Sequence, residues 1–318
     1  MAKTGTDLQL AKSLLEKGEL VGIPTETVYG LAANALNGSA VARIFAVKNR
    51  PEFDPLIVHV PDLDAAHRYV ERMPHQAHRL ATYFWPGPLT LVLPKKSIIP
   101  DIVTSGMETV GLRCPDHILS RQLLQELDFP LAAPSANPFG YVSPTRPEHV
   151  AEQLGDNIPY ILDGGECQIG IESTIVGFEG AETVIYRLGG LSLEKIESII
   201  GRVRIQSHSS SRPKSPGQLT SHYAPSKRVI LGDIKELLQK YPSHCTGILS
   251  FSDDYNSPHQ IVLSKDKNLE EAAKNLFTAL RTFDKMDVDV IVAEEVPDTG
   301  LGRAINDRLR RAAAQNQE

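Results

Sequence analysis

Six short segments concentrate hydroxyl and cationic side chains at spacings that chemistry could use. They are P-T-E-T-V-Y-G-L at 24–31, K-N-R-P at 48–51, T-V-G-L-R at 109–113, P-S-A-N at 134–137, E-S-T at 172–174 and I-Y-R at 185–187. Hydroxyl donors beside ammonium and guanidinium groups suit a substrate carrying both phosphates and a carboxylate, since each anion accepts several charge-assisted hydrogen bonds. Taken singly, most of these residues have a plainer use. Thr25 and Thr27 can cap a turn after a strand. Lys48 falls in the last turn of a predicted helix, where the dipole favours a cation by about 0.3–1 kcal/mol. Arg50 precedes Pro51 in a loop, where arginines are commonly solvated, and Ser135 and Asn137 are ordinary turn formers. His59 sits in an apolar strand and suits a satisfied core histidine better than a ligand. Arg113 and Arg187 resist that treatment. A guanidinium in an apolar strand is costly unless paired, so each needs an internal carboxylate or an anionic ligand.

The elements that must position these residues can be read from periodicity. Asp7 as N-cap and Gly18 as stop predict a helix over 7–17, followed by a strand at 19–23 and a helix over 39–48. The β-branched run Leu56-Ile57-Val58-His59-Val60 predicts a buried strand. Further strands are expected at 89–93, 108–113, 129–133, 158–162, 172–177 and 183–188. Helices are expected over 62–72, 75–84, 116–127, 147–154 and 192–200. This alternation predicts an α/β fold, a twisted sheet flanked by helices, with an anion-binding cleft at the strand ends.

Composition changes after residue 201. Residues 202–218 hold five serines, two prolines, four basic residues and no acid, which reads as a linker. Beyond it, strands at 227–232, 246–251 and 288–293 and helices over 233–240, 268–283 and 301–314 predict a smaller, Rossmann-like α/β unit. The expected division is therefore 1–201, a linker at 202–226, and 227–318.

Composition also narrows the function classes. The chain of 318 residues carries 33 Lys+Arg against 39 Asp+Glu, a net charge of −6, which argues against nonspecific coating of nucleic acid. Residues 1–200 carry 16 basic and 24 acidic side chains, so an anion site there must be a local cluster. No run of 18 apolar residues exists, and the first residues lack the apolar stretch of a secretory signal. Three scattered cysteines fit reduced thiols, so a cytoplasmic protein without membrane contact is expected. No P-loop, H-E-x-x-H, C-x-x-C or G-x-S-x-G occurs, and Gly300-Leu301-Gly302 lacks the third glycine of a dinucleotide fingerprint.

The ordered series of motifs resembles the YrdC-like family, the threonylcarbamoyl-AMP synthases, in the long form with an additional C-terminal domain. The segments that carry the resemblance are 24–31, K-x-R at 48–50 with P-L-I-V-H-V at 55–60, W-P-G-P-L-T at 85–90 and G-L-R-C-P at 111–115. They continue with A-P-S-A-N at 133–137, E-S-T-I-V at 172–176, S-P-G at 215–217, H-Y-A-P at 222–225 and G-L-G-R-A-I-N-D-R-L at 300–309.

The resemblance implies synthesis of L-threonylcarbamoyl-AMP and pyrophosphate from L-threonine, bicarbonate or CO2, and ATP. It implies Mg²⁺ arriving with ATP, no protein-bound metal, and a separate transferase that uses the product to modify tRNA. Carried over by motif position, Lys48 and Arg50 are the catalytic cations. Thr27, His59, Arg113, Ala133 and Ser173 would bind threonine. Arg50, Asp54, Thr109, Ser135, Asn137, Ser143, Arg187 and Tyr223 would bind the nucleotide. Asp54 departs from the asparagine frequent at that position and adds a negative charge near the phosphates. The segment from Ser215 to Pro225 is expected to fold over the cleft as a lid. Two rivals stand beside this reading. One is an RNA- or tRNA-binding module with no adenylate chemistry of its own, against which a weak tRNA contact is the milder form. The other is the YrdC-like domain of hydrogenase maturation proteins, whose zinc-finger modules three isolated cysteines cannot supply.

Overall fold

The computed structural model describes residues 1–206, 216 and 223–314. Among them, eleven strands form one mixed sheet and four form a second, all-parallel sheet, each flanked by helices. The larger sheet runs, edge to edge, through Lys3–Gly5, Tyr160–Leu162, Val21–Ile23, Gly30–Asn34, Leu131–Ala132 and Ile57–His59. It continues through Thr109–Arg113, Leu89–Pro94, Thr174–Glu179, Glu182–Arg187 and Arg204–Ile205. The smaller sheet has the order Arg228–Leu231, Val290–Ala293, Thr246–Ser250, Gln260–Val262, and every pairing is parallel. This is the expected α/β architecture with a smaller Rossmann-like unit.

Local signals place the helices closely. The Asp7 side chain accepts from Leu10 N and starts Leu8–Glu16, and the Asn37 side chain caps Gly38–Lys48. That second helix ends at Asn49, whose φ of 51° is the left-handed conformation asparagine tolerates best after glycine. The turn sends Lys48 and Arg50 inward together, and both are buried.

Four strands escape a reading by propensity. Gly30–Asn34 contains no β-branched residue, and it is a strand because Val21–Ile23 and Leu131–Ala132 pair with it from either side. Lys3–Gly5 and Arg204–Ile205 are short edge strands, and Gln260–Val262 is the edge of the smaller sheet. The helix expected over 62–72 closes after Ala66. Two residues of the expected linker join the larger sheet. Arg204–Ile205 extends the larger sheet beside Glu182–Arg187, because its backbone supplies the pairing that the Glu182–Arg187 edge lacks. Residues 207–215 and 217–222, which hold most of the expected lid, lie outside the described residues. Among the described residues, no helix is long and apolar enough to cross a membrane.

The two units share a core. Val28, Val142 and Ile171 of the first unit pack in one apolar cluster with Leu276, Phe277 and Leu280 from the helix Leu269–Lys285. Arg281 on the same helix donates to the carbonyls of Val142 and Ser143 and to Gln153 Oε1, and its guanidinium lies 5.0 Å from the Tyr141 ring centre. Gly170 marks the closest approach: its φ is +80°, and a Cβ there would stand 2.5 Å from Lys274 Cα. Gly170→Ala should therefore lower the unfolding free energy by about 1–3 kcal/mol from backbone strain alone, with more from the clash. Urea unfolding checks this, and an unchanged midpoint would contradict the tight docking.

Candidate active site

The strand ends of the larger sheet enclose a cleft of about 510 Å³, its open mouth included. Its wall includes Arg50, His59, Arg113, Ala133, Ser135, Ser173, Arg187 and Tyr223, eight of the residues singled out from sequence. Val28, Ile57, Pro134, Glu172 and Pro216 complete it. Thr27, Lys48, Asp54, Asn137 and Ser143 are buried directly behind that wall, touching it through hydrogen bonds or charge. Thr109 lies instead in an adjoining apolar pocket of about 280 Å³, which shares Ile57 and Pro216 with the cleft.

One end of the cleft is organised by Arg113. The strand Thr109–Arg113 pairs in parallel with Ile57–His59, so His59 stands in register with Arg113. Arg113 Nη2 donates to Glu26 Oε1 at 2.7 Å and to Thr27 Oγ1 at 2.8 Å. Glu26 Oε2 accepts from the Asp116 backbone at 2.9 Å, which fixes the carboxylate on its other side. Arg113 thus has the internal carboxylate its burial demands, yet its buried Nε has no hydrogen-bond partner among the described residues. A fork held on one side with a spare donor can still clamp a carboxylate. His59 Nδ1 is likewise unpartnered. Burial, reinforced by the Arg113 charge, brings its pKa down to about 3, so the ring is neutral at neutral pH.

The other end gathers cations. Lys48 Nζ donates to the carbonyls of Ser135, at 2.5 Å, and Asn137. Burial, and then the neighbouring Arg50 charge, hold its pKa well below the usual lysine value. Arg50 donates from Nε to Asp54 O at 3.0 Å and from Nη2 to Pro55 O at 2.9 Å. Its Nη2 also lies 2.9 Å from Asp54 Oδ2, an ion pair without hydrogen-bond alignment. Burial raises the Asp54 pKa, while the charges of Arg50, Arg187 and Lys48 pull it the other way. Arg187 reaches across from Glu182–Arg187, with Nε and Nη2 on Ser173 O and Nη2 on Ser173 Oγ at 3.1 Å. Burial also lowers the pKa of Arg50 and Arg187. Three buried cations therefore surround the Asp54 carboxylate, with Glu172 in the cleft wall acting on Arg187 as well. Desolvated positive charge in excess of its partners is a site for an anion.

Smaller polar groups complete the frame. Ser173 Oγ bonds Thr90 Oγ1 at 2.8 Å, Ser143 donates to Glu172 Oε1 at 2.5 Å, and the Asn137 amide nitrogen donates to Pro138 O and Tyr141 O. Asn137 Oδ1 is buried without a hydrogen-bond partner among the described residues. Among the described residues, no group of three or more histidine, cysteine, aspartate or glutamate side chains could hold a metal ion. Sequence reasoning gave no role to Glu26 or Glu172, although both stand inside the quoted motifs. The cost of a buried strand arginine signalled that an internal carboxylate or an anionic ligand was needed, but which carboxylate meets it depends on which loops come together.

Comparison with known proteins follows the same pattern. Residues 13–189 match the family described as "Telomere recombination", and residues 191–314 match "Threonylcarbamoyl-AMP synthase, C-terminal domain". The chain is 42% identical over 321 residues to the threonylcarbamoyl-AMP synthase of Pyrococcus abyssi, covering 96% of this chain and 94% of that protein. It is 41% identical over 317 residues to that of Bacillus subtilis, covering 95% and 92%. The crystal structure of P. abyssi Sua5 complexed with L-threonine superposes with a TM-score of 0.92 at 41% identity, covering 98% of this chain and 97% of the other. With both parts matched in order over nearly its whole length, the chain belongs to the threonylcarbamoyl-AMP synthase family, in the form that carries a C-terminal domain.

Proposed function

We propose that this chain is an L-threonylcarbamoyladenylate synthase, forming L-threonylcarbamoyl-AMP and pyrophosphate from L-threonine, bicarbonate or CO2, and MgATP. The observation that carries this reading is the cluster of Lys48, Arg50 and Arg187 around Asp54, in one cleft with the half-paired Arg113. Two kinds of anion site, one for phosphates and one for a carboxylate, meet across a single wall.

In this reading Arg113 clamps the threonine carboxylate through its spare donor, and Glu26 keeps the fork from turning. Thr27 holds the same guanidinium, while Ser173, His59 and Ala133 enclose the amino acid. The threonine amine forms a bond to the carbon of CO2 and gives up a proton to solvent, yielding N-carboxy-threonine. An oxygen of the new carboxylate then attacks the α-phosphorus in line, and the bond to the bridging oxygen of pyrophosphate breaks. Such transfers depend on positioning and on cations meeting the developing charge, so no covalent protein nucleophile is required. Lys48 and Arg50 supply that charge, Arg187 and Ser135 hold the phosphates, and Asn137 Oδ1 is free to accept from the nucleotide's metal-bound water. Mg²⁺ belongs to the nucleotide substrate. Asp54 is tolerable beside phosphates because Arg50 stands against it. Ser143, whose hydroxyl is engaged by Glu172, supports the nucleotide wall from behind. The apolar pocket with Thr109 adjoins the cleft through Ile57 and Pro216, which places Thr109 beside the nucleotide. Tyr223 and Pro216 narrow the cleft, and excluding water protects an adenylate that hydrolyses readily.

The product would pass to a cytoplasmic transferase that modifies tRNA. The net negative charge of the first 200 residues leaves little for direct RNA binding and disfavours an RNA-binding module without adenylate chemistry.

Purified protein should convert ATP to pyrophosphate only when threonine and bicarbonate are both present, and Lys48→Ala should abolish that release. Conversion that ignores the omission of threonine would overturn the reading. Arg113→Lys should raise the threonine KM by about tenfold or more, since a charge-assisted contact contributes about 1.5–3 kcal/mol, with the ATP KM within about twofold. Equal effects on both substrates would count against the clamp. His59 adds a pH signature. Its folded pKa of about 3 lies below the ordinary 6.5, so between those values the unfolded chain binds a proton that the folded chain refuses. Stability should therefore fall as pH drops through that window, and His59→Gln should flatten part of the slope in urea titrations. Identical slopes would show that His59 is not held neutral.

A further inference from the structure

The C-terminal unit places a charged side chain, Arg308, against the cleft wall. Arg308, on the helix Gly302–Ala314, is fully buried. Its Nε donates to Glu172 Oε2 at 3.0 Å, its Nη1 to Asp307 Oδ2 at 2.8 Å, and its Nη2 to the Leu188 carbonyl at 2.8 Å. The guanidinium carbon lies 4.8 Å from the ring centre of Tyr223, which stacks on Phe277 of the same unit at 5.7 Å. Asp307 is held in turn by Arg311 Nε at 3.0 Å.

Glu172 and Tyr223 both line the cleft, and Glu172 directly precedes Ser173, which Arg187 holds. The wall is thus clamped by one arginine from each unit. Room to shift is small: Gly190 N bonds Glu172 O, and a Cβ on Gly189 would meet that carbonyl oxygen at 2.3 Å. Arg281 of the same unit is also buried, but it holds the Val142 and Ser143 carbonyls rather than a residue that lines the cleft. Arg303–Glu194 and Lys285–Glu152 also join the units, but both pairs are at least partly exposed and neither reaches the cleft. A buried ion pair contributes little net stability, because desolvation offsets its attraction, whereas its fixed directions define one arrangement.

We infer that Arg308 is a positioning residue for the reaction, acting through Glu172 and Tyr223 to hold the threonine and nucleotide sides of the cleft in register. The active site is then incomplete without the C-terminal unit. This inference rests on the adenylate-forming reading above.

Arg308→Lys tests it, because the charge opposite Glu172 is kept while the three directed hydrogen bonds cannot all be made by an ammonium in that place. The expected result is a higher KM for both threonine and ATP, with kcat/KM lowered about 10- to 100-fold. A partly unfolded preparation would lower the rate and move neither KM. Arg303→Gln, at an interdomain pair away from the cleft, should leave all parameters unchanged. Wild-type values for Arg308→Lys would overturn the inference, as would an equal loss in Arg303→Gln. A wild-type enzyme that forms no pyrophosphate would instead overturn the underlying reading. Should Arg308→Lys fail to fold, Arg308→Met combined with Glu172→Gln removes both charges together. The same KM increases are expected there, and wild-type values would overturn the inference.

Discussion

Positive charge held out of water is the constraint on which this structure turns. Lys48, Arg50 and Arg187 are all buried, and burial opposes the charge of each. Asp54 stands among them and Glu172 acts on Arg187, fewer carboxylates than cations, so backbone carbonyls carry much of the compensation: Ser135 and Asn137 for Lys48, Asp54 and Pro55 for Arg50, Ser173 for Arg187. Those carbonyls belong to loops at the ends of strands, and the sheet order exists in part to bring the loops together. A polyphosphate entering such a cleft replaces lost hydration with preorganised donors, which is how a site gains electrostatic strength without reorganising at the moment of reaction.

The same constraint explains the carboxylates. Glu26 balances Arg113, and Glu172 balances Arg308. Each pair joins a cleft residue to a second element, so electroneutrality and geometry are satisfied by the same contacts. Removing one member would strand a buried charge, a costlier event than losing the contact itself. The pairs therefore restrict what each loop can do, and the C-terminal unit takes part in that restriction through a core it shares with Val28, Val142 and Ile171.

Much of this was legible beforehand. The capping residues Asp7 and Asn37 and the β-branched run around Val58 lead directly to the observed helices and strand, since their signals are local. The motif series pointed to the family, and eight of the named residues line one cleft. Gly30–Asn34 was not legible, because its strand character comes from two neighbours distant in sequence. Thr109 was grouped with the nucleotide-binding residues on its motif, and its position on the strand puts it in the apolar pocket beside the cleft rather than in the cleft wall.

By itself, then, the sequence determined that Arg113 and Arg187, in apolar strands, are costly to bury and must find partners, whereas the burial of Lys48 and Arg50 at a helix end came from the tertiary structure. Desolvation depends on residue type and on the apolar pattern around it, and both are written along the chain. Only the tertiary structure decided who the partners are. Glu26 for Arg113 and Glu172 for Arg308 are separated from them by 87 and 136 residues. Pairing over such distances is set by which loops the sheet order and the domain docking bring face to face, and no local rule of propensity or spacing carries that information.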